Sequence, residues 1–169
     1  MNDHRDQPRI TSLADAVARC AADTAFLTEL GEILRQADRA ADDRHWTCRA
    51  CGKCCRFEEF GHKLYVTAGE LAYLIRQPPP EAVLPQDASG LRTKPAALCP
   101  YQDGDRCLAR DSRALGCRLF FCDPATAEWS NVVYEEFHDK IKRLHAAHSL
   151  PYIYAELTAA LAELASRGS

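Results

Sequence analysis

From Thr11 to about residue 41, apolar and polar positions alternate with the period of an α-helix. Apolar side chains recur over residues 13–21, and Thr11 or Ser12 precedes them as a cap, with Asp15 in the first turn. A second helical pattern covers residues 23–41. The spacing therefore predicts two helices, or one bent helix, before the chain reaches its first group of cysteines.

The middle of the chain predicts a short strand followed by a helix. Residues 63–67 carry strand-forming side chains, and Thr67 with Glu70 three residues later matches a capping box. This pattern predicts a helix that runs to about Arg76. Residues 77–90 include three consecutive prolines, which exclude both a helix and a central strand, so a surface loop is expected there.

Turn and helix signals continue towards the end of the chain. Asp103-Gly104 is a turn signal and predicts a junction between two short strands. Asn131 is a suitable cap for a helix that ends near His148, and Pro151 fits the first turn of a last helix.

Composition places the chain among globular proteins. Its 169 residues fit a single domain, 1–169, and 47% hydrophobic with 27% charged residues argues against disorder beyond the polar residues 1–10. A net charge of -3 supplies no overall basic field, so nucleic-acid binding is not favoured. No apolar run approaches the roughly 18 residues that a membrane span needs.

The start of the chain and the cysteine count together predict a reducing environment. Residues 1–10 lack the apolar segment and the small-residue cleavage site of a signal peptide, so a cytoplasmic location is expected. Cytoplasmic thiols are kept reduced, and nine cysteines cannot all pair. Metal ligation is therefore the main interpretation, and disulfides are the lesser alternative.

Eight of the nine cysteines fall into two groups, and we predict all eight as metal ligands. Thiolate is a soft, charged ligand that suits zinc and iron–sulfur centres. The first group reads CxxCxxCC, and the second spaces its cysteines by seven, nine and four residues. The predicted ligands are Cys48, Cys51, Cys54, Cys55, Cys99, Cys107, Cys117 and Cys122.

Two cysteines could be core residues without a metal-binding role. Cys20 lies alone on the apolar side of the first predicted helix, so we interpret it as a small buried hydrophobe. Cys122 closes the apolar run Leu119-Phe-Phe and could equally belong to the core.

Adjacent Cys54 and Cys55 indicate more than one metal atom. Neighbouring side chains diverge in both strands and helices, so two such sulfurs reach one tetrahedral ion only with strain. We therefore expect separate metals or one polynuclear centre. Gly52 resembles the glycine of metal knuckles, where it relieves crowding near sulfur.

Three further side chains are candidates to support the centre. His62 follows the first group closely and could complete a site or donate a hydrogen bond to a ligand sulfur. Arg113 and Arg118 flank Cys117, where a guanidinium would offset thiolate charge; the alternative is ordinary surface charge. His138, His145 and His148 share one helix face, which we interpret as a solvated or interfacial edge.

Taken together, the CxxCxxCC block, Cys99-Pro100, Cys107, Arg113 and Cys117-Arg118-Leu-Phe120 resemble the YkgJ family of cysteine-cluster proteins. The resemblance covers about residues 48–122 and implies a zinc- or iron-chelating domain. A flagellin lysine methylase has a similar signature and holds a four-iron, four-sulfur cluster. The sequence departs from the family pattern at Ala114, Phe121 and Ala109-Arg110, which affects loop geometry and spares the ligands.

These patterns lead to one expectation for fold and function. We predict a mainly α protein in which helices from both termini pack around an irregular, metal-stapled cysteine-rich core, residues 48–122, with one or two short strands. The expected function is metal binding, with an iron–sulfur cluster favoured over zinc ions and a redox or electron-transfer role. The alternative is a structural-zinc module that mediates a protein–protein interaction. Enzyme activity is not favoured, because eight thiolates more readily saturate metal sites than leave one open.

Overall fold

The computed structural model describes residues 11–44, 52, 55–77 and 99–166. Helices dominate this part of the chain, as the sequence predicts, and two small antiparallel sheets accompany them. The predicted disorder of residues 1–10 and most of the predicted proline-rich loop lie outside the described residues.

Residues 13–42 form two separate helices rather than one bent helix. Helix α1 spans Leu13–Ala22, and the Ser12 side chain caps it by accepting from the Asp15 backbone N–H at 3.1 Å. Helix α2 spans Thr24–Asp42, and its cap is Asp23, whose carboxylate accepts from the Phe26 N–H at 2.8 Å. One residue, Asp23, therefore ends the first helix and starts the second.

A capping box starts the fourth helix, as the sequence predicts. The short helix α3 spans Phe57–Phe60, strand β1 spans Tyr65–Thr67, and helix α4 spans Ala68–Ile75. The Thr67 hydroxyl accepts from the Glu70 N–H at 3.2 Å, while the Glu70 carboxylate accepts from the Thr67 N–H at 2.8 Å. Both groups are fully buried, so the box fixes where α4 meets the core.

The Asp103-Gly104 turn joins two short strands, also as predicted. Strand β2 spans Gln102–Asp103, strand β3 spans Arg106–Cys107, and they pair antiparallel with Gln102 opposite Cys107. Gly104 has φ +55°, the left-handed conformation that a tight hairpin requires. A 3₁₀ turn follows over Arg110–Ser112, and helix α5 spans Leu115–Leu119.

The last two helices begin at other residues than the sequence predicts. Helix α6 spans Ala127–Ala147 and follows a 3₁₀ turn over Pro124–Thr126, so the expected start at Asn131 is wrong. The chain begins this helical segment at Asp123, whose side chain accepts from the Ala125 N–H at 3.0 Å.

Pro151 is likewise not the start of the last helix. Strand β4 spans Tyr154–Glu156 and pairs antiparallel with β1, and only then does helix α7 begin, over Leu157–Ser166. The Glu156 carboxylate accepts from the Thr158 and Ala159 N–H groups at 3.1 and 2.8 Å, and so caps α7. Pairing with β1 overrides the local preference of proline for a helix start.

The core lies mainly between helices α1, α2, α4 and α6. Helix α1 packs on α4, and α2 packs on α6, α5 and α4. The fully buried side chains include Phe26, Leu30, Leu34, Leu71 and Ile141. Across the described ranges, none of the helices combines the length and the apolar composition that crossing a membrane requires.

Candidate metal centre

Cysteines from both sequence groups line one cavity. Cys55 comes from the first group, and Cys99, Cys107 and Cys117 come from the second. The cavity offers about 50 Å³ of space, far less than the roughly 300–1,000 Å³ of sites for organic ligands. Its size and its sulfur-rich wall suit small inorganic groups.

Backbone hydrogen bonds tie the two cysteine groups together. The Cys99 N–H donates to the Cys55 carbonyl at 3.2 Å, and the Gln102 side-chain amide donates to the Gly52 carbonyl at 3.3 Å. Gly52 has φ +67°, and a Cβ there would lie 2.8 Å from the Gln102 amide nitrogen. Glycine is thus required for this close approach, which agrees with the crowding predicted at that position.

The second group is placed by the hairpin and by α5. The Gln102 N–H donates to the Cys99 carbonyl at 3.0 Å, and the register of the hairpin sets Cys107 opposite Gln102. Cys117 lies within α5, whose first N–H, that of Leu115, donates to the buried Glu70 carboxylate at 2.8 Å. The capping box of α4 therefore also anchors the helix that carries Cys117. Burial raises the pKa of Glu70, and the hydrogen bonds from Thr67 and Leu115 act in the opposite direction.

Arg113 and Arg118 have different roles beside the cavity. Arg113 lines it and donates to the Cys117 carbonyl at 3.3 Å. Arg118 is buried and donates to the carbonyls of Arg113 and Asp111, both at 2.7 Å, so it holds the loop before α5. The surface-charge interpretation is wrong for Arg118, because its side chain is only 3% exposed.

Both guanidinium groups share one carboxylate from α2. Asp38 contacts Arg118 directly and lies 3.8 Å from Arg113. Among the described residues, the two guanidinium groups therefore have one carboxylate between them as an ion-pair partner. One positive charge beside the cavity is left to balance the charge of thiolates. No sequence motif points to Asp38, because it lies more than sixty residues before the cysteines of the second group.

His62 also lines the cavity and is held between two aromatic rings. Its ring stacks on Phe120 with centroids 4.9 Å apart, and it meets Phe57 edge-on at 5.4 Å. The Phe120 ring is 41% exposed, so the stack extends from the cavity to the protein surface. The structure thus places His62 at the cysteines, where the sequence predicts it.

Tyr101 is a cavity residue that the sequence analysis missed. It is 2% exposed and lies between Cys99 and Cys107 along the chain. Among the described residues, its hydroxyl has no hydrogen-bond partner. Burial, and then the nearby Cys99 and Cys107, raise the pKa of Tyr101 above its usual range. Its position directly after Cys99-Pro100 was the available signal.

The predicted ligand set is only partly present in the described ranges. Cys48, Cys51 and Cys54 lie outside them. Within them, no three His, Cys, Asp or Glu side chains form a group that could hold a metal ion. Cys122 is exposed and does not line the cavity, so its interpretation as a core residue is wrong and its role as a ligand stays a prediction. Cys20 is fully buried, which confirms the interpretation as a small hydrophobe.

The histidines predicted as a solvated or interfacial helix edge lie on α6 and at its C-terminal cap, and a solvated edge is wrong for His138 and His145. His138 and His145 are 4% and 1% exposed, and burial lowers the pKa of each. His138 shares a hydrogen bond of 2.7 Å with the Tyr152 hydroxyl, while His148 contacts Asp23 at 3.0 Å. None of the three lines the cysteine cavity.

Comparison with known proteins adds no assignment: no family model, curated protein or solved structure matches this chain. The functional interpretation therefore depends on the residues and their arrangement.

Proposed function

We propose that this protein binds metal through its clustered cysteines, and that the centre is an iron–sulfur cluster with a redox or electron-transfer role. The observation that carries the proposal is the small cavity that Cys55 of the first group lines together with Cys99, Cys107 and Cys117 of the second. Thiol sulfur is the donor that iron–sulfur clusters and zinc share, so the chemistry of the donor set fits.

The four cysteines that line the cavity would supply part of the ligand set, and Cys48, Cys51, Cys54 and Cys122 remain the other predicted ligands. A bound iron–sulfur cluster supplies one-electron chemistry. Arg113 would balance the negative charge of the thiolates, and Arg118 with Asp38 would keep Arg113 and Cys117 in place. Within the described residues, the cavity of about 50 Å³ is too small for an organic substrate.

The test is metal and sulfide analysis, with a visible spectrum, on protein purified without oxygen. We expect a brown protein with broad visible absorbance that contains iron and acid-labile sulfide. Colourless protein with stoichiometric zinc would overturn the iron–sulfur assignment, and protein without any bound metal would overturn the proposal as a whole.

Single substitutions connect the metal to the cavity. Cys55→Ser should lower the bound metal, because Cys55 is the first-group cysteine placed at the cavity. The matched control is Cys20→Ala, which removes a buried thiol that does not line the cavity and should leave the metal content unchanged. If Cys54→Ser and Cys55→Ser remove the same single ion, the inference that they serve different metal atoms is wrong.

A structural-zinc module that binds a protein partner is the second candidate. One observation favours it: Tyr65, Tyr152 and Tyr154 are 41%, 41% and 42% exposed around the β1–β4 sheet. Exposed tyrosines are enriched at protein interfaces, since their rings bury apolar area while their hydroxyls stay hydrogen-bonded. Stoichiometric zinc, with loss of helical circular dichroism on chelation, would favour this candidate.

A further inference from the structure

Tyr101, which lines the cavity, has a buried hydroxyl without a hydrogen-bond partner among the described residues. Tyr101 is 98% buried, since only 2% of it is exposed, and its hydroxyl has no hydrogen-bond partner in the part of the chain that the structure describes. Buried hydroxyls almost always have a partner, so each exception needs an explanation. A phenylalanine would fill the same space without the cost of burying an unpaired hydroxyl.

The backbone fixes Tyr101 relative to the cysteines on both sides of it. The Leu108 N–H donates to the Tyr101 carbonyl at 2.8 Å, and the Gln102 N–H donates to the Cys99 carbonyl at 3.0 Å. These bonds hold the segment that carries Cys99, Tyr101 and Cys107 in one rigid turn. The ring has little freedom to turn its hydroxyl towards solvent.

The surroundings identify the kind of partner that this hydroxyl would take. Cys99, Cys107, Cys55 and Cys117 line the same cavity, so sulfur is the commonest side-chain acceptor atom among its lining residues. A phenol is a hydrogen-bond donor at neutral pH, and a metal-bound sulfur carries the negative charge that makes it a good acceptor. Hydrogen bonds to ligand atoms strengthen metal binding and tune the reduction potential of the centre.

We propose that the Tyr101 hydroxyl donates a hydrogen bond to a metal-bound sulfur in this cavity, and that it thereby sets the affinity and the electronic state of the centre. The inference rests on the proposed metal-binding function. Tyr101 is a positioning residue: it acts through the sulfur and does not itself hold the metal.

The test compares Tyr101→Phe with Tyr73→Phe, which removes a phenol oxygen from α4 outside the cavity. Metal affinity is measured by chelator competition, and the sulfur-to-metal charge-transfer band is recorded on the metal-loaded protein purified without oxygen. Tyr101→Phe should weaken metal binding by about 10–100-fold, the usual effect of losing a partner of a ligand atom. It should also move the charge-transfer band to lower energy, whereas Tyr73→Phe should change neither quantity.

Thermal unfolding of the metal-free proteins separates tuning from packing. Without metal, Tyr101→Phe should unfold at the same or a higher temperature than wild type, because an unpaired buried hydroxyl has been removed. Weaker metal binding together with undiminished metal-free stability supports the proposal. Unchanged affinity and an unmoved band in Tyr101→Phe would overturn it while leaving metal binding intact. Wild-type protein that binds no metal would overturn the proposed function itself.

Discussion

The helical half of the molecule, formed by α1, α2, α4 and α6, is held together differently from its cysteine-rich half, residues 99–122. In α1, α2, α4 and α6, apolar side chains such as Leu30, Leu34 and Ile141 are fully buried against one another. Between residues 99 and 122 the longest regular element is α5, with five residues, which is too short to be stable alone.

Polar side chains hold the cysteine-rich half by reaching backbone groups. Arg118 donates to two carbonyls, Gln77 donates to the Leu108 carbonyl, and Glu70 accepts from the Leu115 N–H. The comparison teaches that one half depends on the area it buries and the other on a few directional contacts. It also explains why a metal would matter more to the second half than to the first.

The largest effect is expected from a cavity in the helical core. Leu34→Ala should lower the free energy of unfolding by about 3–5 kcal/mol, because Leu34 is fully buried on α2 and its removal leaves space that neighbours cannot fill. Urea unfolding followed by circular dichroism measures this loss. Val132→Ala on α6 is the control, since Val132 is 66% exposed and should change stability by less than about 0.5 kcal/mol. A small effect of Leu34→Ala would show that the helical half does not depend on its buried apolar side chains.

The next largest effect tests the polar contacts of the cysteine-rich half. Arg118→Met should lower the free energy of unfolding by about 2–3 kcal/mol, because it leaves two carbonyls and Asp38 without their donor. Bound metal should fall as well, since Arg118 holds the loop beside Cys117. Arg39→Met is the matched control: the Arg39–Glu32 ion pair is about half exposed and should contribute little. Equal effects of the two substitutions would show that burial of the guanidinium is unimportant.

A pH titration probes the buried histidines of the helical half. Burial lowers the pKa of His145 in the folded protein, so the unfolded chain binds the proton first, near pH 6.5. Stability from this group is therefore present above that pH and is lost as the pH falls, by at most about 1.4 kcal/mol per pH unit. His145→Phe should make the decline in stability between pH 7.5 and 5.5 shallower, as measured by urea midpoints.

His148 provides the opposite sign in the same experiment. A hydrogen bond to Asp23 raises the pKa of His148, so its stabilising contribution is present at low pH and is lost as the pH rises. His148→Gln should therefore make the acid-side decline steeper. If both substitutions change the slope in the same direction, our assignment of the two environments is wrong.

The smallest effect is expected at the hairpin of the cysteine-rich half. Gly104 has φ +55° and open space around it, so Gly104→Ala should cost only the backbone strain, about 1 kcal/mol. Gly104→Asn should cost less, because asparagine tolerates the left-handed conformation better. Thermal unfolding of the three proteins gives the order. An unchanged unfolding temperature of Gly104→Ala would mean that the hairpin does not require the left-handed conformation at this position.

Sequence motifs predicted the parts of the fold that depend on neighbouring residues alone, such as helix caps and turns. Ser12 and Thr67 cap the helices that the sequence assigns to them, and Asp103-Gly104 forms the predicted turn. The starts of the last two helices were not predictable from local sequence, because a 3₁₀ turn begins α6 early and pairing of β4 with β1 delays α7. In both cases a contact or a turn outside the helix decides its first residue.

The sequence by itself determined that eight cysteines fall into two close groups, a pattern that favours metal ligation by soft thiolates. Only the tertiary structure decided that Cys55 meets Cys99, Cys107 and Cys117 in one cavity, that Cys122 lies away from it, and that Asp38 and Tyr101 belong to its surroundings. The physical reason is that donor chemistry is a property of the side chain, whereas convergence depends on long-range packing and hydrogen bonds that bring together segments more than forty residues apart.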